Sequence, residues 1–133
     1  MKYLLDTNVC IRLLKGVSAS ILRRIEHISS DDVIIPSIVR FELYYGAYKS
    51  SRPEETLIKL KEFLDAFEYA DMNNDIGEIA GKLRADLERK GHPIGPYDLL
   101  IGATALSLNC ILITHNTKEF SRIENLMIED WEG

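Results

Sequence analysis

The sequence has little of what marks secreted or membrane proteins. Only two of its 133 residues are cysteines, and they do not have the spacing of metal ligands. We therefore expect no disulfide scaffold, and we expect a cytoplasmic protein. No apolar run approaches the roughly 18 residues of a membrane-spanning helix, and the first one ends at Asp6, too early for a signal peptide. With 46% apolar and 28% charged residues, the composition is that of a globular protein.

Positive charge is also scarce. The 16 Lys and Arg residues are outnumbered by 21 Asp and Glu residues, which gives a net charge of −5. This sign excludes binding of nucleic acid through bulk charge alone. Any contact with phosphate therefore requires a local basic patch or a bound cation.

Short apolar runs alternate with longer helical patterns, without repeats or linkers, so a single domain over residues 1–133 is expected. Continuous apolar runs are typical of strands buried on both faces. They lie at 3–5, 33–35 and 111–113, with a weaker run at 126–128 and a short edge strand at 67–70. Helices are predicted at 8–15, 18–28, 38–49 (with Ser37 as N-cap), 54–66, 75–90 and 96–108. The pattern predicts an α/β fold, a three-layer α/β/α domain with a central parallel sheet of four to five short strands.

Asp6 directly follows the first predicted strand, and Thr7 and Asn8 begin the next helix. Ligands of open parallel sheets bind beyond the carboxyl ends of the strands, so this position suits a functional side chain. The alternative role is simply to cap the helix. Asp6 taken alone does not separate the two roles.

Glu42 lies on an apolar helix face, where its neighbours three and four residues away are Ile38, Val39, Tyr45 and Gly46. A buried carboxylate is costly unless it is paired or bound to a cation. A salt bridge to Arg40 or Lys49 is one solution, although Arg40, two positions away, points elsewhere on the helix. A bound cation is the other.

Asp98 opens the most apolar helix of the chain, behind a segment with two glycines and two prolines at 91–96. Rigid loops before a helix often carry function, although an acidic residue there also complements the helix dipole. A second polar segment follows the predicted strand 111–113, Thr114-His115-Asn116-Thr117-Lys118-Glu119. Its side chains reach a site shared with Asp6 if the two strands are neighbours. His115 is either a donor to a phosphate or an ordinary loop histidine.

Asp6, Glu42 and Asp98 are all expected near one edge of the sheet. Clustered carboxylates repel one another, and each has a raised pKa unless a counter-charge is present. A hard divalent cation, Mg²⁺ or Mn²⁺, resolves the conflict and can activate water for attack on a phosphodiester. Such a cation also explains how an acidic protein could act on nucleic acid.

The same residues resemble those of the PIN-domain ribonucleases. The matching segments cover nearly the whole chain and occur in order: Leu5-Asp6-Thr7-Asn8, Phe41-Glu42-Leu43 to Gly46, Asp98-Leu99-Leu100-Ile101-Gly102-Ala103, and Thr114-His115-Asn116 through Glu119-Phe120. Length and layout are most similar to the VapC toxins of bacterial and archaeal toxin–antitoxin operons. The stretches Gly95-Pro96-Tyr97-Asp98 and Ile128-Glu129-Asp130-Trp131 are similar to those of the enteric-type branch.

This resemblance implies a type II toxin that is an Mg²⁺- or Mn²⁺-dependent endoribonuclease, forms a homodimer and is inhibited in a complex with a VapB-type antitoxin. It implies that Asp6, Glu42 and Asp98 hold the metal, and it puts Asn116 at the family's fourth acidic position. A neutral amide binds Mg²⁺ more weakly than a carboxylate, which leaves the number of metals open, with Glu119 as a compensating ligand. The enteric-type branch is associated with cleavage of initiator tRNA in its anticodon stem-loop, so tRNA is the expected substrate.

Two other functions compete with this one. An aspartyl-phosphate phosphatase uses an Asp after its first strand as nucleophile. That class needs a second Asp where this chain has Asn8, and a lysine near a late strand, where only Lys118 is available. A degenerate PIN module that binds RNA or a protein partner without cutting is supported only by Asn116.

Overall fold

The computed structural model describes residues 1–132, which form an α/β structure of five strands and seven α-helices. The strands are β1 (Tyr3–Leu5), β2 (Val33–Pro36), β3 (Glu68–Ala70), β4 (Ile111–Ile113) and β5 (Ile128–Glu129). The helices are α1 (Thr7–Lys15), α2 (Ala19–Glu26), α3 (Ser37–Lys49), α4 (Pro53–Asp65), α5 (Asn74–Arg89), α6 (Pro96–Ser107) and α7 (Thr117–Phe120).

All five strands pair in parallel in one sheet of order β3-β2-β1-β4-β5, with helices around it. The first strand is central: Tyr3 pairs with Val33 of β2 on one side and with Ile111 of β4 on the other. The chain leaves β1 toward β2 and returns on its other side as β4. The carboxyl end of β1 therefore lies where the order of strands reverses, which is the usual ligand position in open parallel sheets.

The sheet interior is apolar on both faces. Leu4, Leu5, Ile35, Leu112 and Ile113 have no solvent exposure. Strands covered by helices on both sides need continuous rather than alternating apolar residues, and this is what makes β1, β2 and β4 recognisable in the sequence. No helix within residues 1–132 is long and apolar enough to cross a membrane.

Helix α6 packs closely against the segment that follows α7. A Cβ atom on Gly102 would lie 2.5 Å from Cδ1 of Ile123, so a larger residue there would force the Ile123 side chain to move. Glycine therefore suits the close approach of α6 to the residues that follow α7.

The predicted fold class and element order are confirmed, and the differences lie at element ends. Helix α3 begins at Ser37 with Pro36 in the N-cap position, so the prediction that Ser37 caps this helix is wrong. The fixed φ of proline suits that junction without a side-chain hydrogen bond. The predictions also missed the 3-10 turn Ser30–Asp32 and the four-residue helix α7, both too short to show a helical period.

Candidate active site

Asp6 is fixed at the carboxyl end of β1 and is 6% exposed. Its Oδ1 accepts a hydrogen bond from the backbone N–H of Val9 at 2.9 Å, and its Oδ2 accepts one from the hydroxyl of Thr114 after β4. The first bond is an N-cap for α1, so the capping role is confirmed. Burial raises the pKa of Asp6 despite these hydrogen bonds. A helix cap requires neither the burial of Asp6 nor its second hydrogen bond, so these features favour a further, functional role for Asp6.

Glu42 faces the same region from α3, half-buried, with its Oε1 accepting a hydrogen bond from the hydroxyl of Thr7 at 2.7 Å. The alternative of a salt bridge to Arg40 is wrong. The Arg40 guanidinium donates instead to the carbonyls of Ile35, at 2.6 Å, and Glu68, at 3.1 Å. Within residues 1–132, Glu42 takes part in no salt bridge, and Lys49 lies over the ring of Tyr45.

Asp98 and Glu119 form a carboxyl pair. Burial, the charge of Glu119 and a hydrogen bond with Glu119 raise the pKa of Asp98 to about 6. The Oε1 of Glu119 also accepts a hydrogen bond from the backbone N–H of Gly95 at 3.3 Å, which ties α7 to the loop before α6. Two carboxyl groups this close repel each other when both are charged, which favours the protonated form of Asp98.

The predicted carboxylates converge. Asp6 and Glu42 both raise the pKa of Asp98 further, and Glu42 raises that of Asp6, so their charges act on one another across the end of the sheet. Asn116 joins the group through its backbone, whose N–H donates to the Thr114 hydroxyl at 3.0 Å. The sequence predicts that the segment after β4 reaches the site of Asp6 if β1 and β4 are neighbours, and the two strands do pair.

The carboxyl-terminal residues add a second polar group beside Asp6. The charge of Glu132 raises the pKa of Asp6, and its Oε1 forms an ion pair with Arg12 of α1. Nδ1 of His115 lies 3.0 Å from Asp130 Oδ2 and 3.2 Å from Glu132 Oε2. The histidine ring is therefore engaged with carboxylates of this tail. Sequence reasoning missed Arg12 and Glu132, because their ion pair joins residues 120 positions apart.

The chemistry of the donor set fits a hard divalent cation, but the geometry is not that of a closed site. Within residues 1–132, the ligand atoms that all lie within 4.8 Å of one another belong to His115, Asp130 and Glu132, and not to Asp6, Glu42 and Asp98. The donor set consists of carboxylate oxygens, held by hydroxyl and backbone donors, and within residues 1–132 neither Asp6 nor Glu42 has a cationic side chain as a salt-bridge partner. Oxygen ligands of this kind suit Mg²⁺ and Mn²⁺, whereas zinc sites favour His and Cys. The mutual repulsion of the carboxylates is what a bound cation would relieve.

Comparison with known proteins agrees with this site. The family model described as "PIN domain" matches residues 3–126. The "tRNA(fMet)-specific endonuclease VapC" of Salmonella typhimurium is 39% identical over 131 residues, 98% of each chain. "Ribonuclease VapC2" of Rickettsia felis is 41% identical over 133 residues, 99% of each chain.

The chain belongs to the VapC family of PIN-domain ribonucleases.

Solved structures of VapC proteins share its fold over almost the full length. The toxin chain in DNA-bound VapBC from Salmonella typhimurium is 40% identical and superimposes with a TM-score of 0.93, covering 98% of each chain. The chain in VapBC-1 from nontypeable Haemophilus influenzae is 36% identical, with a TM-score of 0.91 and complete coverage of both chains. The predicted resemblance to VapC toxins is thereby confirmed.

The raised pKa of Asp98 makes a prediction for this VapC protein. At pH values above 6, and in EDTA, we expect Asp98→Asn to have a higher Tm than wild type. The reason is that the charged Asp98 carboxylate is destabilised in the folded state. Its advantage over wild type should shrink as the pH falls from about 6 toward 3.8, where Asp98 is protonated both folded and unfolded. Thermal unfolding of both proteins across this pH range measures the difference in their Tm values. Titration of the other groups, which is common to both proteins, cancels in this difference.

Asp31→Asn is the matched control, because Asp31 is exposed and lies in the 3-10 turn away from the carboxyl pair. A pH-independent difference between Asp98→Asn and wild type would contradict the raised pKa.

Proposed function

We propose that this protein is the toxin of a type II toxin–antitoxin system, a metal-dependent endoribonuclease that hydrolyses RNA phosphodiesters. The whole chain, residues 1–133, acts as one PIN domain, and tRNA is its substrate. An RNA substrate of this kind places its action in the cytoplasm. The observation that carries the proposal is the convergence of Asp6, Glu42, Asp98 and Glu119 at the end of the sheet without a cationic partner for Asp6 or Glu42 in the described residues.

In this proposal Asp6, Glu42 and Asp98 hold Mg²⁺ or Mn²⁺, and Asn116 and Glu119 are further oxygen donors at its edge. When bound, the cation supplies a water of lowered pKa and neutralises the charge that develops on the phosphate. The hydroxyl of Thr7 orients Glu42 and that of Thr114 orients Asp6. Such outer hydrogen bonds fix the direction of the ligand oxygens.

One of the carboxylates of the proposed site would also accept the proton of the attacking water. The attack forms a bond between the water oxygen and phosphorus and breaks the bond to one ribose oxygen, which leaves with a proton. Fragment ends identify which ribose oxygen departs.

The enteric relatives direct the proposal to one tRNA. The proteins of Shigella flexneri and Salmonella typhimurium, both named tRNA(fMet)-specific endonucleases, are 37% and 39% identical to this chain over 98% of its length. At such identity and coverage, we extend the substrate to this chain and expect cleavage of initiator tRNA in its anticodon stem-loop.

The antitoxin is proposed to bind a groove between α1, α3 and α4. The groove has a volume of about 720 Å³ and combines an apolar lining with mostly basic charged residues. Its apolar lining includes Leu14, Leu43, Ala47 and Leu60, and its charged lining residues are Lys15, Arg52, Lys59 and Glu55, three of them basic. Such a surface suits an amphipathic segment of a VapB-type antitoxin. The toxin is also proposed to form a homodimer. Its assembly with VapB in a hetero-oligomer is supported by the VapBC composition of related crystals.

The test is cleavage of total bacterial tRNA by purified, antitoxin-free protein. We expect discrete fragments with Mg²⁺ or Mn²⁺, none in EDTA, and recovery when metal is restored. Sequencing the fragment ends then identifies the tRNA and the cleaved bond. Calorimetric titration of each ion compares Mg²⁺ with Mn²⁺ and gives the number of sites.

The degenerate, non-catalytic PIN module predicts a different result. In that case the folded protein neither binds metal at millimolar concentration nor cuts any RNA, although it retains RNA or VapB. Cleavage that persists in EDTA would contradict the metal-dependent mechanism.

A further inference from the structure

Two exposed aromatic rings contact each other between α3 and α6. The side chains of Phe41 and Tyr97 are 49% and 47% exposed. Their ring centroids are 5.6 Å apart, with 70° between the ring planes. Exposing two large rings to water is unfavourable, and such a patch usually marks a binding surface.

The position of the pair links it to the cleavage site. Phe41 directly precedes Glu42 on α3, and Tyr97 directly precedes Asp98 on α6. The ring contact thus joins the two helices at the turns from which two of the proposed metal ligands project. The rings therefore lie on the same two helix turns as the proposed ligands Glu42 and Asp98.

The edge-to-face arrangement leaves ring surface free for a third ring. In a pair near 70°, the two aromatic faces do not cover each other, and both side chains remain about half exposed. Every nucleobase has a flat face that stacks on such a surface, independent of sequence. Stacking also needs no positive charge, and positive charge is what this protein, at −5, lacks.

We propose that Phe41 and Tyr97 form a stacking platform for a nucleobase adjacent to the scissile phosphate. This inference rests on the proposed RNA cleavage and adds a substrate-binding element to it. The exposed surface continues along α3, where Tyr45 lies one turn beyond Phe41 and the Lys49 ammonium lies 5.6 Å from the Tyr45 ring centroid. A base stacked on the platform and a phosphate bound near Lys49 would fix the orientation of the RNA strand along α3.

The experiment compares Tyr97→Leu, Phe41→Leu and Tyr97→Phe in steady-state cleavage of tRNA. Each Leu variant keeps apolar bulk but removes the aromatic face, so we expect KM to rise about ten- to a hundred-fold with a smaller change in kcat. Tyr97→Phe keeps the ring, and we expect it to recover most of the lost affinity. Tyr69→Leu is the matched control, because Tyr69 is 56% exposed on the edge strand β3.

A binding experiment separates this inference from the cleavage proposal. A single-stranded oligoribonucleotide carrying 2-aminopurine is titrated with the Asp6→Asn protein, which we expect not to cut it. Fluorescence quenching that disappears when the Tyr97→Leu substitution is added to the Asp6→Asn protein supports stacking, whether or not the wild type cleaves tRNA. If wild-type protein cleaves but Tyr97→Leu binds and cleaves equally well, the platform is wrong and the nuclease stands.

The rings also offer a surface to a second copy of this chain, and the same variants test that role. Sedimentation at the assay concentration gives the oligomeric state of Tyr97→Leu. If its loss of affinity is matched by loss of the dimer and Tyr97→Phe restores both, the rings belong to a protein interface and the stacking proposal fails. An unchanged oligomer with weakened RNA binding supports it.

Discussion

Replacing Asp6 with Asn should lower the rate of RNA cleavage about a thousand-fold, in line with the several kcal/mol that a correctly held metal contributes to a transition state. Asn keeps the shape of the side chain and still caps α1 through Val9, so the helix start survives. What is lost is the negative charge that Thr114 orients at the carboxyl end of β1. The measurement is kcat/KM on tRNA at saturating Mg²⁺.

The same substitution should not destabilise the fold. Burial and the charges of Glu132 and Glu42 raise the pKa of Asp6, so its ionised form opposes folding when no metal is bound. We therefore expect the Tm of Asp6→Asn in EDTA to equal or exceed that of wild type. Added Mg²⁺ should raise the Tm of wild type more than that of the variant. Loss of activity together with a lower Tm in EDTA would contradict a role in metal binding.

Replacing Trp131 with Ala should cost about 3–5 kcal/mol of unfolding free energy, as for other large buried aromatic residues. Trp131 is 2% exposed, its ring centroid lies 5.7 Å from that of Tyr3, and the Arg24 guanidinium lies 5.6 Å above it. Its indole N–H donates to Glu129 at 3.0 Å, and its carbonyl accepts from the Ser20 hydroxyl. Urea unfolding of the two proteins measures the loss.

Two further variants serve as controls for the Trp131→Ala prediction. Trp131→Phe keeps one aromatic ring but loses the N–H donor and part of the buried ring volume, so it should retain more stability than Trp131→Ala and less than wild type. Tyr48→Ala removes a ring that is 64% exposed and should change stability by no more than about 0.5 kcal/mol. An unchanged urea midpoint for Trp131→Ala would mean that the carboxyl-terminal tail contributes little to the fold.

The fold was predictable where its signal is local. The buried strands β1, β2 and β4 are continuous apolar runs, and the sheet interior requires this composition. Strand β5, with only two residues, was weak in the sequence because it lies at the edge of the sheet.

The carboxylates were predictable for a different reason. Asp6 and Glu42 stand out against apolar neighbours, and the end of a parallel strand is a place where polar groups collect. The hydrogen bond between Asp98 and Glu119 carried no such signal, since it depends on the approach of α6 and α7 in space. Small hydroxyl residues such as Thr7 also look like ordinary loop or cap residues until their partners are known.

The pairing of β1 with β4 determines when, during synthesis of the chain, the carboxylates of the site can come together. The hydrogen bond between Asp6 and Thr114 joins residues 108 positions apart, and Glu119 and Trp131 follow later still. Proteins emerge from the ribosome amino end first, and contacts between distant residues form late. A translation that stops before β4 therefore releases a polypeptide with Asp6 and Glu42 but no assembled site. Under the proposed function, only a chain synthesised beyond Glu119 would carry all the residues of the site.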